Sequence, residues 1–359
     1  MAEITRREFL RDAALGVGVV VAGGILGACS SGPTPEAEPT PSAGSTPWAE
    51  PTGSRSPSPS PPVASGGTVP GSAPPSGSTP FPSSAPAASA GAPDLVVARN
   101  GDPETLVRRA IAAIGGMERF VPKGASVIVK PNICVSYRTY EYAATTNPWV
   151  VGALVKMALE AGAGSVKVMD YPYGGAAADA YTASGIRQQV EAAGGQMVVM
   201  SSRRYVSTGI PGGRWLTRAD VHDEVLKADV LINAPIAKQH SSARVTAAMK
   251  NLMGVVRDRP AMHGNLGQAI ADLNTLIRPG LTVVDAVRIL VENGPGGGRL
   301  EDVRQLDTVV AGTDVVAVDS HAATLFGLEP DDLDYVRIGA AMGLGRSDLS
   351  KLTIEDFSV

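Results

Sequence analysis

At 359 residues and 44% hydrophobic, the chain is long enough to bury one sizeable core or two modest ones. Its 31 basic and 35 acidic residues leave a net charge of −4, which argues against nucleic acid as a main partner, because phosphate binding needs a basic face; aromatics at 4% also disfavour base stacking. Two cysteines, Cys29 and Cys134, are too few for a disulfide framework, a cysteine zinc site or an iron–sulfur cluster held by the chain's own thiolates.

Residues 1–29 read as an address. TRREFLR (5–11) is a charged head with paired Arg6 and Arg7, and residues 13–28 are an apolar run of sixteen with five glycines. A membrane-spanning helix needs roughly 20 apolar residues, so a signal peptide fits better. The head resembles the twin-arginine export signal at Thr5, Arg6, Arg7, Phe9 and Leu10, with Arg11 where lysine is usual. LGAC (26–29) resembles a lipobox, in which Cys29 is lipidated and becomes the first mature residue. These resemblances imply the twin-arginine export machinery as a partner, and a bacterial-type lipoprotein of the cell envelope held to the membrane through its lipid. Residues 30–93 are rich in Pro, Ser and Gly and hold seventeen of the 28 prolines. They carry too little apolar surface to offset ordering entropy and are expected to form a disordered tether.

The folded domain is expected over 94–359. LVVA (95–98) precedes an amphipathic helix over 103–114, and SVIVK (126–130) is the next strand. Asn147 and Pro148 read as the N-cap and first turn of a helix. SVKVMD (165–170), a helix at IRQQVEAAGG, and QMVVM (196–200) follow. Residues 204–222 interrupt the alternation, and the Pro211-Gly212-Gly213 turn predicts a β-hairpin insertion. DVLIN (229–233), a helix, TVVDA (282–286), a glycine-rich loop or lid over 294–298, TVVAG (308–312) and a last helix complete the pattern. The fold class expected is α/β, a mostly parallel sheet with helices on both faces and a β-hairpin insertion.

Each strand ends in polar residues or a turn: Lys130-Pro131-Asn132, Asp170, Asn233, Asp285 and Gly312-Thr313-Asp314. Ligands of open parallel sheets sit outside the carboxyl ends of the strands, so Lys130, Asn132, Asp170, Asn233 and Asp285 are expected at one crevice. The stretch APIAKQHSSARVTAAMKNLMG (234–254) adds to it. Residues 236–242 read as a loop carrying Lys238 and His240. From Val245 a helix is expected, with Val245, Met249, Leu252 and Val256 against the sheet and Thr246 and Lys250 sharing an adjacent face. Lys238, His240, Thr246, Lys250 and Asn251 would then line one wall, suited to a small anionic ligand such as a carboxylate or phosphate. His240 is the candidate catalytic proton carrier. His240, His263 and Asp170 also offer ligands for a divalent metal, although no tight histidine spacing supports one. No G-x-S-x-G elbow, Walker or Rossmann spacing occurs, and the identity of any cofactor stays unknown. Cys134 reads as a small buried residue.

VKPN (129–132), the strand end at Asp170, NAPIAKQH (233–240), TAAMKNLMG (246–254), His263, TVVDA and GTDVVAVD (312–319) resemble the uncharacterised family known as domain of unknown function 362. Many members carry a ferredoxin-like segment of clustered cysteines; this chain lacks it, so the resemblance implies no electron-transfer role and no reaction. The expectation is an exported, lipid-anchored protein with a site for a small anion. The alternatives are a non-catalytic lipoprotein that captures a solute or partner, and a redox protein dependent on a metal or cofactor.

Overall fold

Successive side chains of β1 (Leu95–Arg99) enter different cores, Leu95 and Val97 on one face of a sheet and Val96 and Ala98 on the other. The structure, a computed structural model, describes residues 91–359. The expected signal peptide with Arg6, Arg7 and Cys29, and all but the last three residues of the expected tether, lie outside the described residues.

After β1 come α1 (Pro103–Ala113), β2 (Ser126–Pro131), α2 (Pro148–Glu160), β3 (Ser165–Val168), α3 (Ala177–Ala183), α4 (Ile186–Ala192) and β4 (Gln196–Met197). α2 starts where the sequence placed it: the Asn147 side chain accepts from the Trp149 N–H, and Pro148 occupies the first turn. β5 (Tyr205–Gly209) and β6 (Arg218–His222) form the expected hairpin as a separate two-stranded sheet. α5 (Asp223–Lys227), β7 (Val230–Ala234), β8 (Ile236–His240), β9 (Arg244–Thr246), α6 (Ala248–Asn251), α7 (Arg259–Met262) and α8 (Leu266–Leu276) follow. The Asp272 carboxylate on α8 accepts from the N–H groups of Arg214, Trp215 and Leu216, which fastens the inserted hairpin to the domain. β10 (Leu281–Leu290), β11 (Val303–Gly312), α9 (Val315–Thr324), α10 (Asp334–Ala341) and β12 (Ile354–Ser358) complete the chain.

The main sheet has the order β12-β1-β11-β10-β7-β2-β3-β4, and β8 pairs with β10 and β9. Only β11 and β9 run against the others among its described strands. Helices α1 to α4 cover one face, burying among others Leu106, Leu154, Tyr181 and Ile186. Helices α8 to α10 cover the other with Ile270, Val316 and Tyr335. This is the expected α/β fold. The chain steps outward from β2 to β3 and β4, then returns to β7 on the other side of β2. Such a reversal opens a crevice at the carboxyl ends of the strands.

Two expectations are corrected. The stretch 236–242 is no loop: residues 236–240 are β8, whose Lys238 and His240 pair with Thr246 and Arg244 of β9. The helix expected from Val245 shrinks to one turn at α6, followed by a 3₁₀ turn over Leu252–Val255. Burial explains both. Val245, Met249, Leu252 and Val256 are inside, but so are Ala247, Ala248, Met253 and Val255, so the segment has no solvent face to make it amphipathic. β11 runs antiparallel to β10 and β1, so its end, Gly312 to Asp314, lies at the other end of the strands from the crevice, where Asp314 caps α9 by accepting from the N–H groups of Val316 and Ala317.

Candidate functional site

A cavity of about 570 Å³ opens at the strand ends, with walls from the end of β2, the segment after β3, the β8–β9 hairpin and the chain from α6 to α7. Of the residues expected there, Lys130, Asn132, Asp170, Lys238, His240, Thr246, Lys250, Asn251 and His263 all line it. Asn233 and Asp285 do not, and this corrects both placements. Asn233 braces the wall from behind, its Nδ2 donating to the Ala248 carbonyl at 2.9 Å and its Oδ1 accepting from Asn251 Nδ2 at 2.8 Å. Asp285 is fully buried and accepts from the N–H groups of Asn147 and Val287 at 2.7 and 3.0 Å, which ties β10 to the start of α2.

The floor is a buried ion pair. Lys130 Nζ lies 2.7 Å from Asp170 Oδ1 and donates to the Pro131 carbonyl at 2.8 Å and to Asn251 Oδ1 at 3.0 Å. Asp170 Oδ2 accepts from the Ile133 N–H at 2.6 Å. Burial pulls the Lys130 ammonium below its usual range, against the opposing pull of Asp170. Gly254 presses its backbone on this pair, and a Cβ there would sit 2.6 Å from Lys130 Nζ and also against Asp170 Oδ1. The glycine that closes the TAAMKNLMG stretch therefore has a packing reason.

Lys238 is equally buried, and its three protons go to Asn132 Oδ1 at 2.9 Å, the Ala144 carbonyl at 2.6 Å and the Pro295 carbonyl at 3.0 Å. All three acceptors are neutral, so its positive charge is solvated by dipoles and not cancelled. Asn132 is used on both sides, because its Nδ2 donates to Asn251 Oδ1 at 3.0 Å. Pro295 brings the expected glycine-rich loop against the cavity, and its carbonyl also takes the Cys134 thiol at 3.3 Å. Cys134 is buried, as expected, though it lies on the cavity wall.

Lys250 differs from both. Among the described residues its amine has no hydrogen-bond or ion-pair partner, although it faces the cavity. Burial first, then the nearby charges of Lys238, Arg259 and Lys130, push it down to about 7. The Thr246 hydroxyl, on the same wall, is buried and also lacks a partner. His240 Nδ1 accepts from the N–H groups of Ser242 and Ala243 at 3.1 and 3.3 Å, which leaves the ring proton on Nε2. Burial and the charges of Lys250, Lys238 and His263 push the ring down to about 3. That arrangement suits a fixed hydrogen-bond donor better than the proton carrier expected from the sequence.

Several lining residues escaped the sequence reading. Arg259 donates to the carbonyls of Tyr171 and Pro172 at 2.9 Å each and stacks on the Tyr171 ring at 4.7 Å. Arg257, Tyr171 and Tyr173 complete the mouth, the tyrosines 40% and 73% exposed. The RDR run at 257–259 is the one signal that pointed there. Asp170 is the only carboxylate on the wall, against five Lys and Arg side chains, and it is already paired. Among the described residues no three His, Cys, Asp or Glu side chains gather as a metal-sized group. His263 is exposed, with Nδ1 3.1 Å from the Arg259 carbonyl, and Asp170 is committed to Lys130. Among the described residues no helix is long and apolar enough to cross a membrane.

With this geometry in hand, three kinds of comparison bear on the chain. Among solved structures, the lactate racemase apoprotein from Thermoanaerobacterium thermosaccharolyticum aligns with a TM-score of 0.37 at 12% identity, over 59% of this chain and 53% of that one. A protein from Thermotoga maritima gives 0.36 at 12% identity, over 63% and 60%. The chain thus spans less than two thirds of either. The thylakoid-associated protein sll1697 of Synechocystis sp. is 27% identical over 253 residues, 66% of this chain and 74% of the relative. Residues 127–324, more than half of the chain and the part that holds most of the cavity wall, match the model of DUF362, a domain of unknown function, and the chain belongs to that family.

Proposed function

We propose that the chain is an exported, lipid-anchored protein whose strand-end cavity binds a small anionic molecule. The observation that carries the binding reading is the Lys250 amine: it is recessed, faces the cavity and has no partner among the described residues, in a wall whose single carboxylate is already neutralised. The amine is half-buried and open to the cavity, so an anion there gains a charged donor that no protein acceptor has taken. The Thr246 hydroxyl and His240 Nε2–H stand ready as neutral donors beside it, and Lys238 adds positive charge without needing to move. Lys130, Asn132, Asn233 and Asn251 serve as the network that holds this wall in place.

Lys250→Met should weaken protection by inorganic phosphate, acetate or pyruvate by about ten-fold or more, the loss of one charge-assisted hydrogen bond of about 1.5–3 kcal/mol. Thermal-shift titration of both proteins with each anion measures it. Equal protection of both variants would mean that the anion, if it binds, binds elsewhere.

Export and anchoring are supported by the TRREFLR head and the LGAC sequence, and the Synechocystis relative is itself a thylakoid-associated protein. Cys29→Ser should move the exported chain from the membrane to the soluble fraction, and Arg6→Lys with Arg7→Lys should hold the precursor in the cytoplasm. Fractionation of cells expressing the full chain reads both. Unchanged membrane association of Cys29→Ser would remove the lipid anchor.

A further inference from the structure

We propose that Lys250 is an imine-forming amine and that the cavity's ligand is a small oxo acid, a molecule with a carbonyl group close to a carboxylate. The proposal rests on the anion-site reading above and narrows it to one chemical class.

Among the described residues three lysines reach this cavity, and one of them has no hydrogen-bond or ion-pair partner. Lys130 and Lys238 each spend three contacts on protein oxygens, which fixes their nitrogens and blocks their lone pairs. Among the described residues Lys250 has neither an acceptor nor a carboxylate to hold it as an ammonium. Lys238, Arg259 and Lys130 crowd it from the surrounding wall, and with burial they favour its neutral, nucleophilic form near pH 7. The same fixed cations that make the amine a nucleophile are the groups that attract a carboxylate.

The neighbours suit the other half of a carbonyl compound. His240 presents Nε2–H and cannot readily take a second proton, because Nδ1 already accepts from two backbone N–H groups. The Thr246 hydroxyl is unpartnered. Both can donate to a carbonyl oxygen and stabilise the charge that gathers there on attack. In the reaction, the Lys250 Nζ lone pair forms a bond to the carbonyl carbon while the C=O π pair moves to oxygen. A proton passes from nitrogen to that oxygen, giving a carbinolamine. The C–O bond then breaks, the oxygen leaves as water after taking a proton from solvent, and the nitrogen lone pair closes the C=N bond of an iminium. No oxidant or reductant is required.

Pyruvate and glyoxylate, each with sodium cyanoborohydride, test this on the full chain. Reduction traps an imine as a stable secondary amine that peptide mass mapping can locate. Lys250 should be labelled about tenfold or more above the exposed Lys123 and Lys227, because an amine near neutrality holds far more free base than an ordinary lysine. Labelling should rise with pH through about 7 and fall when inorganic phosphate competes. Lys250→Met should lose the adduct while Lys123 and Lys227 keep their background, and the mapping on the unaltered chain stands even if that variant folds poorly. Labelling of Lys250 no stronger than of Lys123 and Lys227, with pyruvate still raising the melting temperature, would overturn the imine and leave the anion site. Neither label nor thermal protection would overturn both.

Discussion

Lys130→Met should lower the unfolding free energy by about 3–5 kcal/mol, and Asp170→Asn by a similar amount, because each leaves the other charge buried and unpaired. The two side chains are 0% and 4% exposed, so water takes the place of a lost partner only poorly. The damage would also spread. Asp170 Oδ2 holds the Ile133 N–H, and Lys130 Nζ holds Asn251, which in turn carries Asn132 and Asn233. The double variant Lys130→Met with Asp170→Asn should cost clearly less than the sum of the two, since no lone charge remains. Gly254→Ala probes the same pair from the opposite side, because its methyl group would occupy the space of the two charged ends. Stability loss comparable to the single charge variants is expected, with no change in the chain's chemistry. Urea unfolding followed by circular dichroism measures all four. A loss under about 1 kcal/mol for either single variant would mean that the pair is open to water and is not the floor of the site.

Asp319→Asn should remove its own part of the pH dependence of stability between about 4 and 7. The Asp319 carboxylate on α9 accepts from the N–H groups of Ala248 and Met249 at 2.6 and 2.8 Å, which fixes the first turn of α6 and with it Lys250. Burial outweighs those two donors and raises the group to about 7. A raised carboxyl keeps its proton in the folded chain while the unfolded chain has lost it, so folding binds a proton across this window. Its contribution is therefore complete below about pH 4 and declines as pH rises to about 7, by up to about 1.4 kcal/mol per pH unit. Asp285, raised to about 7 for the same reason, acts in the same direction. His240 and Lys250 act the other way: their lowered values make stability rise with pH, between about 3 and 6.5 for the ring and above about 7 for the amine. Comparing Asp319→Asn with the unaltered chain cancels those groups. The variant should gain on the parent by about 2–4 kcal/mol between pH 4.5 and 7.5, read by urea unfolding at each pH. A constant difference over that range would show that Asp319 stays ionised throughout. Asp319→Asn also carries a pH-independent cost, because its amide nitrogen cannot accept from one of the two N–H groups, and Asp319→Ala, which leaves both without an acceptor, should lose about 1–3 kcal/mol for each at every pH.

Much of the frame is local and therefore readable. Runs of β-branched residues such as SVIVK and TVVAG became strands, and Asn147-Pro148 began a helix, because burial pattern and cap chemistry are properties of a few adjacent residues. The gathering of Lys130, Asn132 and Asp170 was readable for a related reason: strand ends in a parallel sheet share one edge. The stretch 236–246 was misread because a strand with Lys238 and His240 looks polar. Lys238 is tolerated there only by oxygens 106, 94 and 57 residues away along the chain. Asp285 looked like Asp170, a carboxylate at the end of an apolar run, and the difference lies in which backbone N–H groups each one meets.

Composition and short-range pattern thus indicated that the described domain is α/β and that Lys130, Asn132 and Asp170 lie at one edge of its sheet. They could not rank three lysines of identical chemistry. Lys130 is paired with Asp170, Lys238 is saturated by neutral oxygens, and Lys250 has no partner among the described residues; each state depends on which distant elements pack around the amine. The charge and reactivity of a side chain depend on its acceptors and its burial, and both exist only once the chain has packed.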